Sequence, residues 1–321
     1  MTSLRSVMAG FADRIGEYRI ERELGRSNGS VELEAYHLVL PRRAVIKVSA
    51  AQPVSMTVLR EACILEALAH PGVVRVYEAG LTVDRRPYFA REVVHGTTIA
   101  STLAPGAIDR VDVVALLRDV ADILAHAHGR GVVHGHLRPD RILMTGRTRL
   151  FPLCIIDWSD ARAHDAQTAP PVPTVASWYY TAPEVAAGDA IDDRADVFSL
   201  GVIAYRLLTG VLPFEGPVAV ASDGTTQHVP TEVRCPEAPR ELTQLVDQML
   251  AADHWDRPSS GEALEVLRWL SEVLAVPAAT AKGQLRIRKP RWTPALDFGR
   301  SLGAEVIEDD DDVVLLEPDR D

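Results

Sequence analysis

An α+β chain, with a strand-rich first part and a longer, mainly helical second part, is what the sequence predicts. Three observations predict it. The runs Val31-Glu32-Leu33, Ala44 to Val48, Val73 to Tyr77 and Tyr88-Phe89-Ala90 are short and rich in β-branched and aromatic residues, the composition that suits a pleated, half-buried surface. A single helix-spaced segment near Val58 to Leu68 interrupts them. From Val111 onward the apolar residues recur at helical spacing over much longer stretches.

Residues 1–17 precede the first strand-like run and are expected to be an N-terminal extension. The strand-rich part is expected over 18–94 and the mainly helical part over 95–274. In the latter, Val111 to Ala127 places Leu116, Leu117, Val120 and Leu124 on one face with no Pro or Gly between them, as an amphipathic helix requires. Val197 to Leu208, Pro239 to Leu250 and Gly261 to Leu274 repeat the pattern. Beyond Ala275 it gives way to Pro, Ala and Thr, then a basic run, then acid, so 275–321 is expected to be a disordered tail.

The chain has 321 residues, is 47% hydrophobic and carries a formal charge of −11. Glu305 to Asp321 holds nine acids against one arginine, and residues 1–274 hold 35 acids against 27 basic residues. No basic stripe calls for nucleic acid. The longest apolar stretches are broken by charges such as Arg118, Asp119 and Asp122, so none meets the roughly 18 uncharged residues of a membrane helix. No cleavable leader is evident, and the cytoplasm is the expected address. Cys63, Cys154 and Cys235 lack C-x-x-C spacing and are expected to be small buried hydrophobes, not a disulfide or zinc framework.

An ordered series of motifs carries the chemistry. Ala44-Val45-Ile46-Lys47 is followed by Leu59-Arg60-Glu61-Ala62, then Ile155-Ile156-Asp157-Trp158-Ser159, Tyr180-Thr181-Ala182-Pro183-Glu184, Asp196 to Gly201 and Asp256-Arg257-Pro258-Ser259. Their order and separations resemble the protein kinase family, of the bacterial serine/threonine type, from about Tyr18 to Leu274. The resemblance implies a two-lobed protein-kinase-like fold, with a small β-rich first lobe that holds one αC helix and a larger, mainly helical second lobe. It also implies that Lys47 holds nucleotide phosphates with Glu61 as its ion-pair partner, that Asp157 ligates metal, and that Arg257 pairs with Glu184. Asp297-Phe298-Gly299 spells the same tripeptide as the metal-binding motif but lies past the last helical run, and is taken as chance.

Departures from the family pattern decide the functional expectation. In His134-Gly135-His136-Leu137-Arg138-Pro139-Asp140-Arg141, His136 stands at the catalytic aspartate, Arg138 at a lysine, and Arg141 at a metal-ligating asparagine; a cation cannot ligate Mg²⁺. The glycine-rich turn keeps Gly25 in register but loses its other glycines. Glu32 occupies the place of a valine that covers the base, and Arg91, just before the hinge Glu92-Val93-Val94, falls at the gatekeeper position. These changes suggest that Arg91, Glu32, Lys47, Glu61, Asp157 and Arg141 form a closed charge network in place of Mg-ATP. Gly135 replaces the arginine that answers a phosphorylated activation segment, so Thr168, Thr174 and Ser177 are read as docking marks at most.

The resulting expectation is a pseudokinase: a catalytically impaired signalling or scaffold protein with no cofactor and no metal, acting by binding protein partners through its lobes or its tail. Val313 to Leu316 is an aliphatic run that could extend a partner's sheet, and Arg286 to Trp292 a basic run that could dock the acidic end. The alternative is an enzyme, a divergent serine/threonine kinase. It would transfer the γ-phosphate of ATP with Lys47, with Mg²⁺ on Asp157 and with His136 as the base.

Overall fold

The computed structural model describes residues 13–27, 29–50, 55–103, 110–146, 149–163, 177–214, 228–274, 285–288, 304–309 and 313–318. The Asp297-Phe298-Gly299 triplet, Thr168 and Thr174 lie outside them. The chain divides into two compact units, one made of Met1–Thr97 and Leu143–Ala161, the other of Thr98–Ile142 and Arg162–Asp321.

In the first unit, β1 (Arg14–Ile15), β2 (Tyr18–Ser27), β3 (Ser30–His37), β4 (Arg43–Ser49), β5 (Val76–Leu81) and β6 (Pro87–Arg91) form one antiparallel sheet ordered β1-β2-β3-β4-β6-β5. Strand periodicity assigns its two faces. Val31, Leu33 and Ala35 of β3, Ala44, Ile46 and Val48 of β4, and Tyr88 and Ala90 of β6 join Ile15, Tyr18 and Ile20 in one core cluster. The alternate residues Glu32, Glu34, Lys47, Phe89 and Arg91 therefore share the opposite face. Helix α1 (Thr57–Leu68) buries Val58, Glu61, Ala62, Leu65 and Leu68, a helical stripe with one carboxylate in it, and stops at Ala69, whose left-handed φ of 44° closes the last turn onto Leu65. The strand expected from Val73 begins only at Val76. Val73 instead makes a lone parallel bridge to Ile155, because the Pro71-Gly72 turn delays entry into the sheet.

The strands β7 (Thr97–Thr98), β8 (Val132–Val133), β9 (Ile142–Met144), β10 (Leu153–Ile155) and β11 (Arg162–Ala163) are short. β9 and β10 lie side by side and lead into Asp157. The second unit is built on α2 (Arg110–His128), α3 (Pro183–Ala187), α4 (Arg194–Thr209), α5 (Thr231–Arg234), α6 (Arg240–Met249) and α7 (Ser260–Leu274). α4 is buried without a break from Ala195 to Tyr205 and ends on Gly210 at φ 76°. Gly201 lets α4 cross the end of α6, since a Cβ there would stand 2.8 Å from Met249 Cβ. Among the described residues, no helix is long and apolar enough to cross a membrane.

Past Leu274, where no fold was expected, β12 (Leu285–Arg288), β13 (Ala304–Asp309) and β14 (Val313–Pro318) pair as an antiparallel sheet ordered β12-β14-β13. Leu285 faces Leu316 and Arg288 faces Val313. The aliphatic run read as a free strand is thus the middle one, occupied on both sides by its own chain. Alternation in Leu285-Arg286-Ile287-Arg288 was the overlooked strand signal.

Candidate active site

The first unit gathers its charges on one sheet face. Lys47 in β4 and Glu61 in α1 are each 3% exposed and meet at 2.7 Å (Nζ to Oε2). The other Glu61 oxygen, Oε1, accepts the backbone N–H of Trp158 at 3.3 Å. One carboxylate thereby ties the strand lysine to the segment after β10. Asp157 Oδ1 lies 3.4 Å from Lys47 Nζ and accepts from the Ser159 hydroxyl at 2.8 Å and the Ser159 amide at 3.2 Å. Trp158, in the position of the family's phenylalanine, is fully buried and donates its indole N–H to the Ile155 carbonyl at 3.1 Å. Burial disfavours the Lys47 ammonium, yet Glu61, Asp157 and Glu32 together hold its pKa above the ordinary lysine value. Lys47 is therefore a fixed cation.

Arg91 is buried and donates from Nη2 to both Glu32 oxygens, at 3.2 and 3.3 Å. Five of the six residues expected in one network thus pair off within this unit, as Lys47 with Glu61 and Asp157, and as Arg91 with Glu32. The sixth, Arg141, belongs to the second unit and donates to the His136 carbonyl at 3.4 Å. Gly25 sits in β2 opposite Glu32, and a Cβ there would meet nothing within 4 Å, so the backbone at this point of the hairpin is open to approach. A cavity of about 600 Å³ in the same unit is lined by Leu65, His70, Val74, Arg75, Glu92 and Arg149. It includes none of these charged residues and is a separate feature.

The second unit holds the catalytic-loop segment from below. Asp196, at the start of α4, is wholly buried; its Oδ2 accepts the His134 amide at 2.7 Å and His128 Nε2 at 2.9 Å, and its Oδ1 accepts the Gly135 amide at 2.8 Å. Burial alone would raise its carboxyl, but the His128 hydrogen bond and the neighbouring imidazoles hold it below the ordinary range. His128 reaches on to Ser260 Oγ at 2.7 Å, joining α2, α4 and α7. His136 follows two residues after His134, its amide on His134 Nδ1 at 3.3 Å. Arg138 is held by Asp140, with Nε on Oδ1 at 2.8 Å. Arg257 makes a two-pronged pair with Glu184, at 2.7 and 2.9 Å, and also donates to the Ala251, Ala252 and Arg194 carbonyls. His128 went unnoticed in the sequence, where a histidine six residues before the loop was the available signal, and Ser159 was read only as part of its motif, not as a hydrogen-bond donor to Asp157.

The protein kinase domain model matches residues 18–269. The chain belongs to the protein kinase domain family. Among its relatives are the serine/threonine-protein kinases Pkn1 and pkn2 of Myxococcus xanthus, 33% and 29% identical over 74% and 78% of this chain. Serine/threonine-protein kinase PknJ of Mycobacterium tuberculosis is 32% identical over 81% of it. These matches cover 34, 32 and 45% of the respective relatives, so the chain spans less than half of their length. The autoinhibited serine kinase domain of the giant muscle protein titin superposes with a TM-score of 0.69 at 22% identity, over 80% of this chain and 81% of that one. That likeness shows the two-lobed kinase fold.

These findings correct the pseudokinase expectation. The lysine–glutamate pair is formed and buried, Asp157 is held beside it, and the catalytic-loop amides are anchored on Asp196. The phosphate-binding side of the site is thus assembled, not degenerate, and an impaired scaffold is not the reading it supports. The expectation of no cofactor falls for the same reason. A network standing in for Mg-ATP would have to consume Lys47, whereas here Glu61 holds the ammonium in place and Glu32 is taken up by Arg91.

Proposed function

We propose that this chain is an ATP-dependent serine/threonine protein kinase, transferring the γ-phosphate of ATP to a protein hydroxyl. The buried 2.7 Å Lys47–Glu61 pair with Asp157 at 3.4 Å carries the reading. Phosphoryl transfer asks a protein mainly for positioned charge, and an ammonium fixed by a carboxylate is a positioned charge. In this reading Lys47 holds the nucleotide phosphates, Glu61 orients Lys47, and Gly25 leaves the strand backbone open to them.

The donor set also suits magnesium. Mg²⁺ is commonly held by one or two carboxylates together with substrate phosphates, so Asp157 suffices without an all-protein cage; among the described residues no cluster of three or more metal-ligating side chains occurs. Bound there, the ion would offset charge on the transferring phosphoryl group. Ser159 keeps the Asp157 carboxylate in one orientation. His136 takes the acceptor hydroxyl's proton, and Asp196 fixes the backbone from which it projects.

The partner in this reading is the protein that carries the acceptor hydroxyl, and its compartment is the cytoplasm, where ATP is available. Tail contacts to partners would run along β12 or β13, the outer strands of the terminal sheet. The test is phosphotransfer from γ-labelled ATP to a generic protein acceptor and to the chain itself, with Mg²⁺, without it, and with Lys47→Met. Metal-dependent label that disappears in the variant is expected; label equal in wild type and Lys47→Met would defeat the proposal.

A further inference from the structure

Glu32 and Lys47 are direct cross-strand partners in β3 and β4, and both belong to the sheet face that carries Arg91. Residues opposed in this way have Cβ atoms only about 4.5–5.5 Å apart. Glu32 is therefore the carboxylate nearest to Lys47 by backbone register alone, ahead of Glu61, which must reach in from a helix. Left to itself it would compete for the ammonium, since opposite charges at such range and low exposure attract strongly. The Lys47 ammonium nevertheless sits on Glu61 at 2.7 Å and on Asp157 at 3.4 Å.

What occupies Glu32 is Arg91. It stands on β6, with β4 lying between it and β3, so two strand spacings of roughly 4.8 Å each separate the backbones. An extended arginine spans that distance, and Nη2 grips both Glu32 oxygens while the side chain is 7% exposed against 29% for Glu32. We propose that Arg91 is a positioning residue for Lys47: by sequestering Glu32 it leaves the lysine to Glu61 and Asp157, and so to phosphate. The two unusual residues are one compensated change in this account. Glu32 still acts on Lys47 through space, as does Arg91 on Glu61, where its charge and that of Lys47 work against the rise caused by burial. The role in phosphate binding rests on the kinase function proposed above; the competition between carboxylates does not.

The prediction is a reversal of sign between single and double variants. Arg91→Met releases Glu32 onto Lys47, and the apparent KM for ATP rises by roughly tenfold, the factor that 1.4 kcal/mol of competing attraction would give. Glu32→Val with Arg91→Met removes both charges and restores the wild-type value. Glu32→Gln with Arg91→Met keeps the shape without the anion and restores it too, which guards against a packing defect in the valine variant. The direct readout uses the chain's three lysines, Lys47, Lys282 and Lys289. With lysine labelled at Cε by carbon-13, the Lys47 signal moves in Arg91→Met and returns in both double variants. An unmoved Lys47 signal in Arg91→Met overturns the inference, as does a KM that rises equally in the single and double variants. Absence of phosphotransfer in the wild-type chain would count against the proposed activity alone, because the resonance measurement needs no nucleotide.

Discussion

Asp196→Asn changes one atom of the group that holds the catalytic loop, and its cost can be worked from the three hydrogen bonds Asp196 accepts. Oδ2 takes the His134 amide and His128 Nε2, and Oδ1 takes the Gly135 amide, all between 2.7 and 2.9 Å. An asparagine offers one oxygen and one NH2, so whichever way it is turned at least one backbone N–H faces another donor. Losing a hydrogen bond to a charged group costs about 1.5–3 kcal/mol and orphaning a buried donor about 1–3 more, roughly 2.5–6 kcal/mol together. For a domain of 150–250 residues each kcal/mol moves Tm by about 2–4 °C, giving a fall of roughly 5–24 °C. The same substitution lets the loop amides drift, so kcat falls while KM for ATP, set in the other unit, changes little. Calorimetry and steady-state phosphotransfer on the same preparation read both effects. A variant melting within about 2 °C of wild type, a shift of under 1 kcal/mol, would refute the anchoring argument.

Removing the imidazole with His136→Ala is expected to lower kcat by roughly 10²-fold, the low end for a general base; an unchanged rate would reassign the proton acceptor. Arg141→Asn, which exchanges a cation for a neutral oxygen donor, should lower the Mg²⁺ concentration needed for half-maximal phosphotransfer. Arg257→Lys keeps the charge but loses the fork to Glu184 and the carbonyl contacts, at about 3 kcal/mol in a denaturant titration. Gly201→Ala drives a Cβ to 2.8 Å from Met249 Cβ and is expected to cost about 1–3 kcal/mol by overpacking. Acidification tests Asp196 from another direction. Its folded pKa lies below the unfolded value of 3.8, so its contribution is present above that value and is lost as pH falls through the folded one. Melting temperature should be level near neutrality and fall below about pH 4, less steeply in Asp196→Asn.

Periodicity made most of the fold legible in the sequence, and the failures mark where periodicity carries no information. Burial at Val58, Ala62, Leu65 and Leu68 follows helical spacing, and Val31, Leu33, Ala44, Ile46 and Val48 follow strand spacing. The terminal sheet was missed because its strands are four to six residues long and the last two are separated by a run of aspartates, the composition of unfolded chain. Lys47, Glu61, Asp157, Glu184 and Arg257 were legible one by one through motif order. The partner of each was legible only where the family supplied it, so His128, fixed on Asp196 and Ser260 from another helix, was invisible.

Catalytic capacity was misjudged for a related reason. A substitution at a motif position names a lost atom, but it does not say whether the field around the reacting groups has been rebuilt. Glu32 and Arg91, taken singly, are an anion and a cation where the family has apolar residues, and each alone would disable the lysine or fill the pocket. Taken as a pair 3.2 Å apart they neutralise one another, and Lys47 keeps the two carboxylates that orient it. Similarly, Ser159 in place of a glycine adds a hydroxyl that holds the Asp157 carboxylate at 2.8 Å, a restraint that the substitution alone does not announce. Buried charges constrain one another through distance and exposure, neither of which is written in the order of residues, so compensation of this kind becomes readable only once the strands are in register.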